Sequence, residues 1–531
     1  MAGRRPNFVF FIPDQLRADA LGAFGNPHIR TPHLDALADR GTRFDNAYVQ
    51  HPVCSPSRAS FLTGWYPHTQ GHRTLTNLLK PWEPNLLRTL KESGYHVTWP
   101  GMRGDTFAPG ATELSVDEYG FGVPPTAFAT ASGAADWPGG EEWARLYYRG
   151  RLPDDDSRVD ADEATIRTAL RWLDEPPEGP WALFVPLIAP HCPFEVEEPW
   201  FSMYDRDTLP GPVPPAGDAG PEPAYMRAIR ERFGIEDTTP EMWREVKATY
   251  YGMISRMDEQ LGRLMAAVDS SGAGENTVTL FFADHGEYLG DYGLVEKWPS
   301  ALHPAITRDP LVIAGGGLPG GGHTDAMVEL IDVLPTVLEL AGAEAPHRHF
   351  GRSLVPLLHD PGADHRTYAF TEGGFSVEEE PQLEGAGFPY DLKAALQHER
   401  PELVGRAVAV RDREWSYVWR LYEPAELYHR ASDPDERVSL AGLPGHADVE
   451  RRMNQALLRW LADTADVIPA EEDPRYASVD LPVPAGEPRP DGTVERASEQ
   501  LARAFARWKA SAWRHGARAR PGPRAVTPGP G

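Results

Sequence analysis

A chain of 531 residues can bury more than one small core, so a large domain with an appendage is expected. A formal net charge of −26 excludes general affinity for nucleic acid or anionic membranes, while leaving room for a local cationic pocket. Only two cysteines occur, Cys54 and Cys192, and no apolar run approaches the about 18 residues of a membrane span, so neither a disulfide scaffold nor a transmembrane protein is expected.

In chain order, Arg4-Arg5 precedes an apolar run too short for a signal-peptide core, which points to a cytoplasmic address. That run, Phe8 to Ile12, reads as a strand buried on both faces that stops at Pro13-Asp14-Gln15. Thr31 to Gly41 carries helix signals at both ends, with Thr31 as N-cap, Pro32 next, Leu34 and Leu37 on one face, and Gly41 as stop. His51-Pro-Val-Cys-Ser-Pro-Ser-Arg-Ala-Ser-Phe-Leu-Thr-Gly64 follows. Pro56 presets a first helical turn, Ser55 and Ser57 are placed to satisfy free amides, and Gly64 closes a short helix. Cys54 therefore falls at a helix N-terminus, where an anion is favoured, and Arg58 one turn on supplies a cation that can grip an oxyanion bidentately. Sulfate, phosphate and phosphonate all meet that description.

Asn85 to Gly94 and Ala164 to Leu173 read as helices, each feeding a strand: Tyr95 to Trp99 and Trp181 to Ala189, the second with Pro186 suggesting a bulge or an edge. A long helix from Glu241 to Val268 leads to a buried strand, Thr277 to Ala283, which runs into Asp284-His285-Gly286. Leu330 to Gly342 reads as a packing helix. Beyond His365, Arg406 to Arg411 and Trp415 to Leu421 alternate like antiparallel strands. A helix from Ala447 to Asp463 follows, with Met453, Leu457, Leu458 and Leu461 inward. Three blocks result: an α/β domain over 1–365 with a mostly parallel sheet flanked by helices, an α+β subdomain with an antiparallel sheet over 366–468, and a Pro-rich arm with a basic amphipathic tail over 469–531. The tail is expected to be partly disordered or to dock on a second copy of the chain.

Open, mostly parallel sheets bind ligands beyond the carboxyl ends of their strands, so Asp14, His191, Asp284 and His285 are expected on one rim beside the Cys54 helix. Two aspartates and a histidine make a mostly oxygen site of the kind hard divalent cations prefer.

Cys54-Ser-Pro56-Ser-Arg58 followed by Leu62-Thr63-Gly64 closely resembles the signature of the type I sulfatases of the alkaline phosphatase superfamily, and Asp284-His285-Gly286 with Lys297 extends the likeness. The resemblance implies the alkaline-phosphatase-like fold and oxidation of Cys54 to formylglycine by a separate formylglycine-generating enzyme. It also implies a divalent cation, calcium ahead of manganese or magnesium, held by Asp14, Asp284, His285 and residue 54. Arg58 and Lys297 would hold the transferred group, and His191 would protonate the leaving oxygen of a small anionic ester. The first strand ends in Asp14-Gln15, which resembles the branch containing choline sulfatases and phosphonate monoester and phosphodiester hydrolases. This adds Gln15 as a further metal ligand and Asn77 as a substrate contact. Many sulfatases carry Lys-x-His after the next strand; here Arg103 and Asp105 stand in Gly101-Met-Arg-Gly-Asp105, so Arg103 is the substitute for the lysine charge. The reading is sulfate monoester hydrolysis, with phosphonate monoester or phosphodiester hydrolysis as its alternative. A non-catalytic oxyanion-binding protein with unmodified Cys54 is the reading from another class.

Overall fold

Alternate residues of the first strand, β1 (Asn7–Ile12), serve two different cores, which is why the whole run is apolar. Val9 and Phe11 pack with Val185, Phe281 and the long helix Pro240–Ser270 on one face; Phe8, Phe10 and Ile12 pack with Phe184, Phe282, Phe61 and Leu62 on the other. Each such side chain, fully buried, stabilises the fold by about 1.5–3 kcal/mol. The computed structural model describes residues 5–126, 137–155, 157–217 and 220–466. The expected arm and tail over 469–531 lie outside the described residues.

The remaining strands are β2 (Gly41–Tyr48), β3 (His96–Trp99), β4 (Glu118–Tyr119), β5 (Tyr148–Arg151), β6 (Trp181–Pro186), β7 (Phe194–Val196), β8 (Thr277–Phe282), β9 (Arg308–Gly315), β10 (Gly322–Glu329), β11 (Ala369–Gly373), β12 (Ala407–Arg411), β13 (Trp415–Arg420) and β14 (Glu426–His429). The main sheet runs β10-β2-β9-β8-β1-β6-β3-β4. Only β9 opposes its neighbours; the other adjacent pairs are parallel. β11 to β14 form an antiparallel sheet in sequence order, and β5 and β7 form a short parallel pair. This is the expected α/β architecture with an antiparallel sheet toward the C-terminus, and the described residues belong to one compact unit.

Several local expectations are corrected. Pro186 marks neither an edge nor a bulge: β6 lies between β1 and β3, and Pro186 is its last residue, opposite Ile12, where the missing N–H interrupts no ladder. The Gly41 stop opens β2, because the helix Pro32–Asp39 turns directly into the sheet. Thr31 does not cap that helix with its side chain; its hydroxyl donates to Asp35 Oδ1 at 3.1 Å instead. In the helix Ala447–Thr464, Met453, Leu457 and Trp460 are the buried face, and Leu458 is 59% exposed. The eight-residue strands β9 and β10 carry no clean alternation, and the sequence pattern does not announce them.

Candidate active site

The helix Cys54–Thr63 is buried along its whole length and ends at Gly64, whose left-handed backbone (φ 70) lets its N–H close on the Ser60 carbonyl at 2.8 Å. Its N-cap is Val53, with no side-chain cap; Ser55 Oγ donates to the Leu75 carbonyl at 3.4 Å and Ser57 Oγ is without a partner, so neither serine satisfies the amides as expected.

Asp14 leaves the end of β1 and Asp284 the end of β8, adjacent parallel strands, so the two carboxylates meet at one rim. Arg58 lies between them, with Nη2 at 3.2 Å from Asp14 Oδ2 and 2.8 Å from Asp284 Oδ2, and Nε 3.0 Å from Asp284 Oδ2. All three side chains are fully buried, so the guanidinium stands against both carboxylates out of reach of water. Arg103 adds a second cation, donating to Asp14 Oδ2 at 2.6 Å and to Asp105 Oδ2 at 2.6 Å. Burial alone would raise the Asp14 carboxyl, but the Arg103 and Arg58 guanidiniums outweigh it and hold it well below the usual range.

With the Oδ2 atoms of both acids given to arginines, the Oδ1 atoms face His285 Nε2, 3.7 Å from Asp14 and 3.8 Å from Asp284. His285 Nδ1 donates to the Gly286 carbonyl at 2.9 Å, which leaves the Nε2 lone pair toward the cluster. Cys54 Sγ lies 3.1 Å from His285 Nε2 and 3.6 Å from Asp14 Oδ1. One ligand atom from each of Asp14, Cys54, Asp284 and His285 lies within 4.8 Å of the others. The Oδ1 atoms of Asp14 and Asp284 and an oriented imidazole fit a divalent cation. Burial, then Asp14, drives the Cys54 thiol well above its ordinary value, so the helix N-terminus does not activate it as a thiolate.

Beside this cluster, Lys297 Nζ donates to Gln15 Oε1 at 2.7 Å, lies 2.7 Å from Glu296 Oε1, and points at His191 Nε2 at 2.9 Å. His191 Nδ1 donates to the Cys192 carbonyl at 2.6 Å, so Nε2 carries the lone pair and the shared proton belongs to Lys297. Burial and Lys297 lower His191 to about 4. His191, Cys192 and Glu296 also group as ligand atoms, but the Lys297 ammonium already supplies the cation there.

A family model described as Sulfatase matches residues 6–343, more than half of the chain. The chain belongs to the sulfatase family. It is 30% identical over 525 residues to the multifunctional alkaline phosphatase superfamily protein PehA of Trinickia caryophylli, covering 87% of this chain and 96% of that protein. It is 27% identical over 464 residues to the choline-sulfatase of Rhizobium meliloti, covering 84% of each. The solved phosphonate monoester hydrolase of Agrobacterium radiobacter shares the fold, with a TM-score of 0.68 at 24% identity over 87% of this chain and 96% of that one.

Within this sulfatase-family site, Asp14, Cys54, Arg58, Arg103, Asp284 and His285 form one network, and Gln15, His191 and Lys297 a second that adjoins it. Gln15, expected as a metal ligand, instead turns its Oε1 to Lys297 and its backbone N–H to Asp284 Oδ1 at 3.1 Å, through a left-handed backbone (φ 62). Asn77 stands apart: its Oδ1 accepts from Thr74 Oγ1 at 2.8 Å and its carbonyl from His72 Nδ1 at 2.6 Å, with no bond to either network. Sequence reasoning missed Glu296, Glu287 and Asp162. Glu296 adjoins Lys297 with φ 66. Glu287, buried and pushed up to about 7 mainly by that burial, accepts from Gln15 Nε2. Asp162 accepts from the Ile188 and Ala189 N–H groups, both at 2.7 Å, and so fixes the loop that carries His191. For Glu287 and Glu296 the available signal was closeness to Asp284-His285-Gly286 and Lys297; Asp162, 26 residues before Ile188, offered none.

No helix among the described residues is long and apolar enough to cross a membrane.

Proposed function

We propose that this sulfatase-family chain hydrolyses sulfate monoesters with a nucleophile derived from Cys54. The observation that carries the reading is the Cys54 thiol seated against Asp14 and His285, with Arg58 between the two buried aspartates. The Cys54-Ser-Pro56-Ser-Arg58 motif at the start of a buried helix supports conversion of Cys54 to formylglycine by a maturation enzyme. That conversion supplies an aldehyde hydrate, one hydroxyl to attack sulfur and a second through which the sulfated residue collapses without water attacking the ester. Asp14, Asp284 and His285 would hold a divalent cation, calcium ahead of manganese or magnesium, which supplies Lewis-acid charge beside residue 54.

The rest falls to the chain's own side chains. Arg58 Nη1 is buried and unpartnered, which supports a substrate oxygen as its partner. Lys297 stays charged in the pocket despite burial, because Glu296 and Asp14 hold its pKa well above the usual value, and it contributes a fixed positive charge beside residue 54. His191 orients the Lys297 proton rather than acting as a free imidazolium, so the pair together protonates the departing oxygen.

Phosphonate monoester or phosphodiester hydrolysis is the second reading, favoured by Arg103 and Asp105 where many sulfatases carry Lys-x-His. The test is the mass of the tryptic peptide containing Cys54 from the native host, followed by turnover of aryl sulfates against aryl phosphonates. A loss of ~18 Da is expected for formylglycine. An unshifted thiol mass at full occupancy would overturn the covalent mechanism and leave oxyanion binding.

A further inference from the structure

β11 and β12 are adjacent antiparallel strands, and such neighbours are ordinarily joined by a loop of about 2–5 residues. Here residues 374–406 intervene, folded into a 3-10 turn over Val377–Gln382, a helix over Asp391–Glu399 and another turn over Pro401–Val404. The segment lies beyond the 6–343 span of the family match. It is tied to the body at several points: Glu379 pairs with Arg73, Arg232 reaches Glu399 at 2.9 Å, and Phe388 packs edge-on against Trp137.

Two of its side chains reach the residues that grip Lys297 and His191. Lys393, buried at the first turn of the insert's helix, lies 2.9 Å from Glu296 Oε2, while the other oxygen of Glu296 is 2.7 Å from Lys297 Nζ. Glu296 thus divides its charge between two ammonium groups. Three residues earlier, Tyr390 donates its hydroxyl to the Cys192 carbonyl at 3.2 Å, the carbonyl that also accepts from His191 Nδ1. One insert therefore acts on both members of the pair, on Lys297 through Glu296 and on His191 through Cys192.

We propose that Lys393 and Tyr390 are positioning residues of the insert that set the Lys297–His191 pair for its work on the leaving oxygen. The inference rests on the sulfatase reading above. Without Lys393, the undivided carboxylate of Glu296 competes with the substrate for Lys297, and in a buried site such competition is strong. Without the Tyr390 hydroxyl, the carbonyl that fixes the His191 tautomer loses one of its two donors.

The experiment compares Lys393→Met, Lys393→Arg and Tyr390→Phe with the wild type on 4-nitrophenyl sulfate, whose leaving group needs no proton, and on an alkyl sulfate, whose leaving group does. Lys393→Met is expected to lower kcat/KM by about 10- to 100-fold on the alkyl ester and by less than about 3-fold on the nitrophenyl ester. Lys393→Arg should recover most of that loss, and Tyr390→Phe should show the same selectivity at a smaller size. Equal losses on both esters, or no loss on either, would overturn the inference. A wild type that turns over neither ester sinks the sulfatase reading itself. The inference is then decided by the same contrast on a 4-nitrophenyl and an alkyl phosphonate monoester, where Lys393→Met must lower kcat/KM selectively on the alkyl ester and Lys393→Arg must not. Absence of that selective loss would overturn it.

Discussion

Cys54 sits among side chains that leave the ends of two neighbouring strands, whereas Lys297 sits among side chains that leave loops. The first half of the site inherits its geometry from the backbone: Asp14 and Asp284 are brought together by the parallel pairing of β1 with β8, and Arg58 occupies the gap between them. The second half is assembled by side-chain bonds across long sequence distances, from Gln15 to Lys297, from Lys297 to His191 and from Lys393 to Glu296. Strand pairing tolerates little displacement, while a chain of ion pairs can be retuned one residue at a time. Chemistry common to a family is expected in the first kind of structure and substrate preference in the second.

That contrast can be broken by cutting each half. The largest effect is expected from Arg58→Met, which leaves buried Asp284 without its arginine and Asp14 with Arg103 alone. Unfolding by urea in the presence of a chelator should show a loss of about 3–5 kcal/mol, and turnover should be undetectable. A stability change under about 1 kcal/mol would show that the strand ends hold the acids without it.

Removal of divalent cations by chelation should abolish turnover. Returning calcium at about 100 times its Kd should restore it and stabilise the fold by about 2.7 kcal/mol, measured by denaturant unfolding. Stability and turnover that ignore the chelator would contradict a cation at Asp14, Asp284 and His285.

Acid sensitivity should come from buried histidines in both parts of the molecule. Burial, and next Arg73, lower His51 to about 3; burial lowers His303 to about 4, with Glu426 opposing. Each folded value lies below the unfolded value of about 6.5, so the unfolded chain binds the extra proton. Their contribution is complete above pH 6.5 and is lost as pH falls toward 4, at up to about 1.4 kcal/mol per pH unit for each group. Urea unfolding in chelator at pH 7, 6 and 5 checks the slope, which His303→Gln should flatten.

Asp162→Asn sharpens the comparison on the loop side. The two oxygens of Asp162 accept one N–H each, from Ile188 and Ala189, and the amide replaces one of them with an NH2 donor, so a loss of about 1–3 kcal/mol is expected, with the alkyl ester again the more affected substrate. The smallest effect is expected from Asn77→Ala. Its hydrogen bonds stay within its own turn, and kcat/KM should stay within about threefold of the wild type.

Strand ends and helix limits could be read locally because their causes are local. Phe8 to Ile12 is apolar throughout, Gly64 and Gly342 supply left-handed stops, and Asn85 caps its helix by accepting from the Arg88 N–H at 3.0 Å. The Cys54, Arg58 and Asp284-His285 segments were legible as motifs for the same reason: their residues are contiguous or lie at strand exits. Where several forces competed, local reading failed. Ser55 and Ser57 had the right spacing to cap a helix, yet complete burial placed them elsewhere. Gln15 had the right position for a ligand, yet its left-handed backbone and the nearby Lys297 turned its oxygen away from the cluster.

By itself, the order of residues determined the α/β class, the helix that presents Cys54, and the acids and histidine that gather near it, since each follows from apolar runs, turn residues and short motifs. Only the tertiary structure decided that Arg58 separates Asp14 from Asp284, that Lys297 holds the proton in front of His191, and that Lys393 and Tyr390 arrive from an insert in another sheet. Charges and donors from distant segments choose their partners only when packing excludes water and leaves each buried group with the few neighbours that surround it.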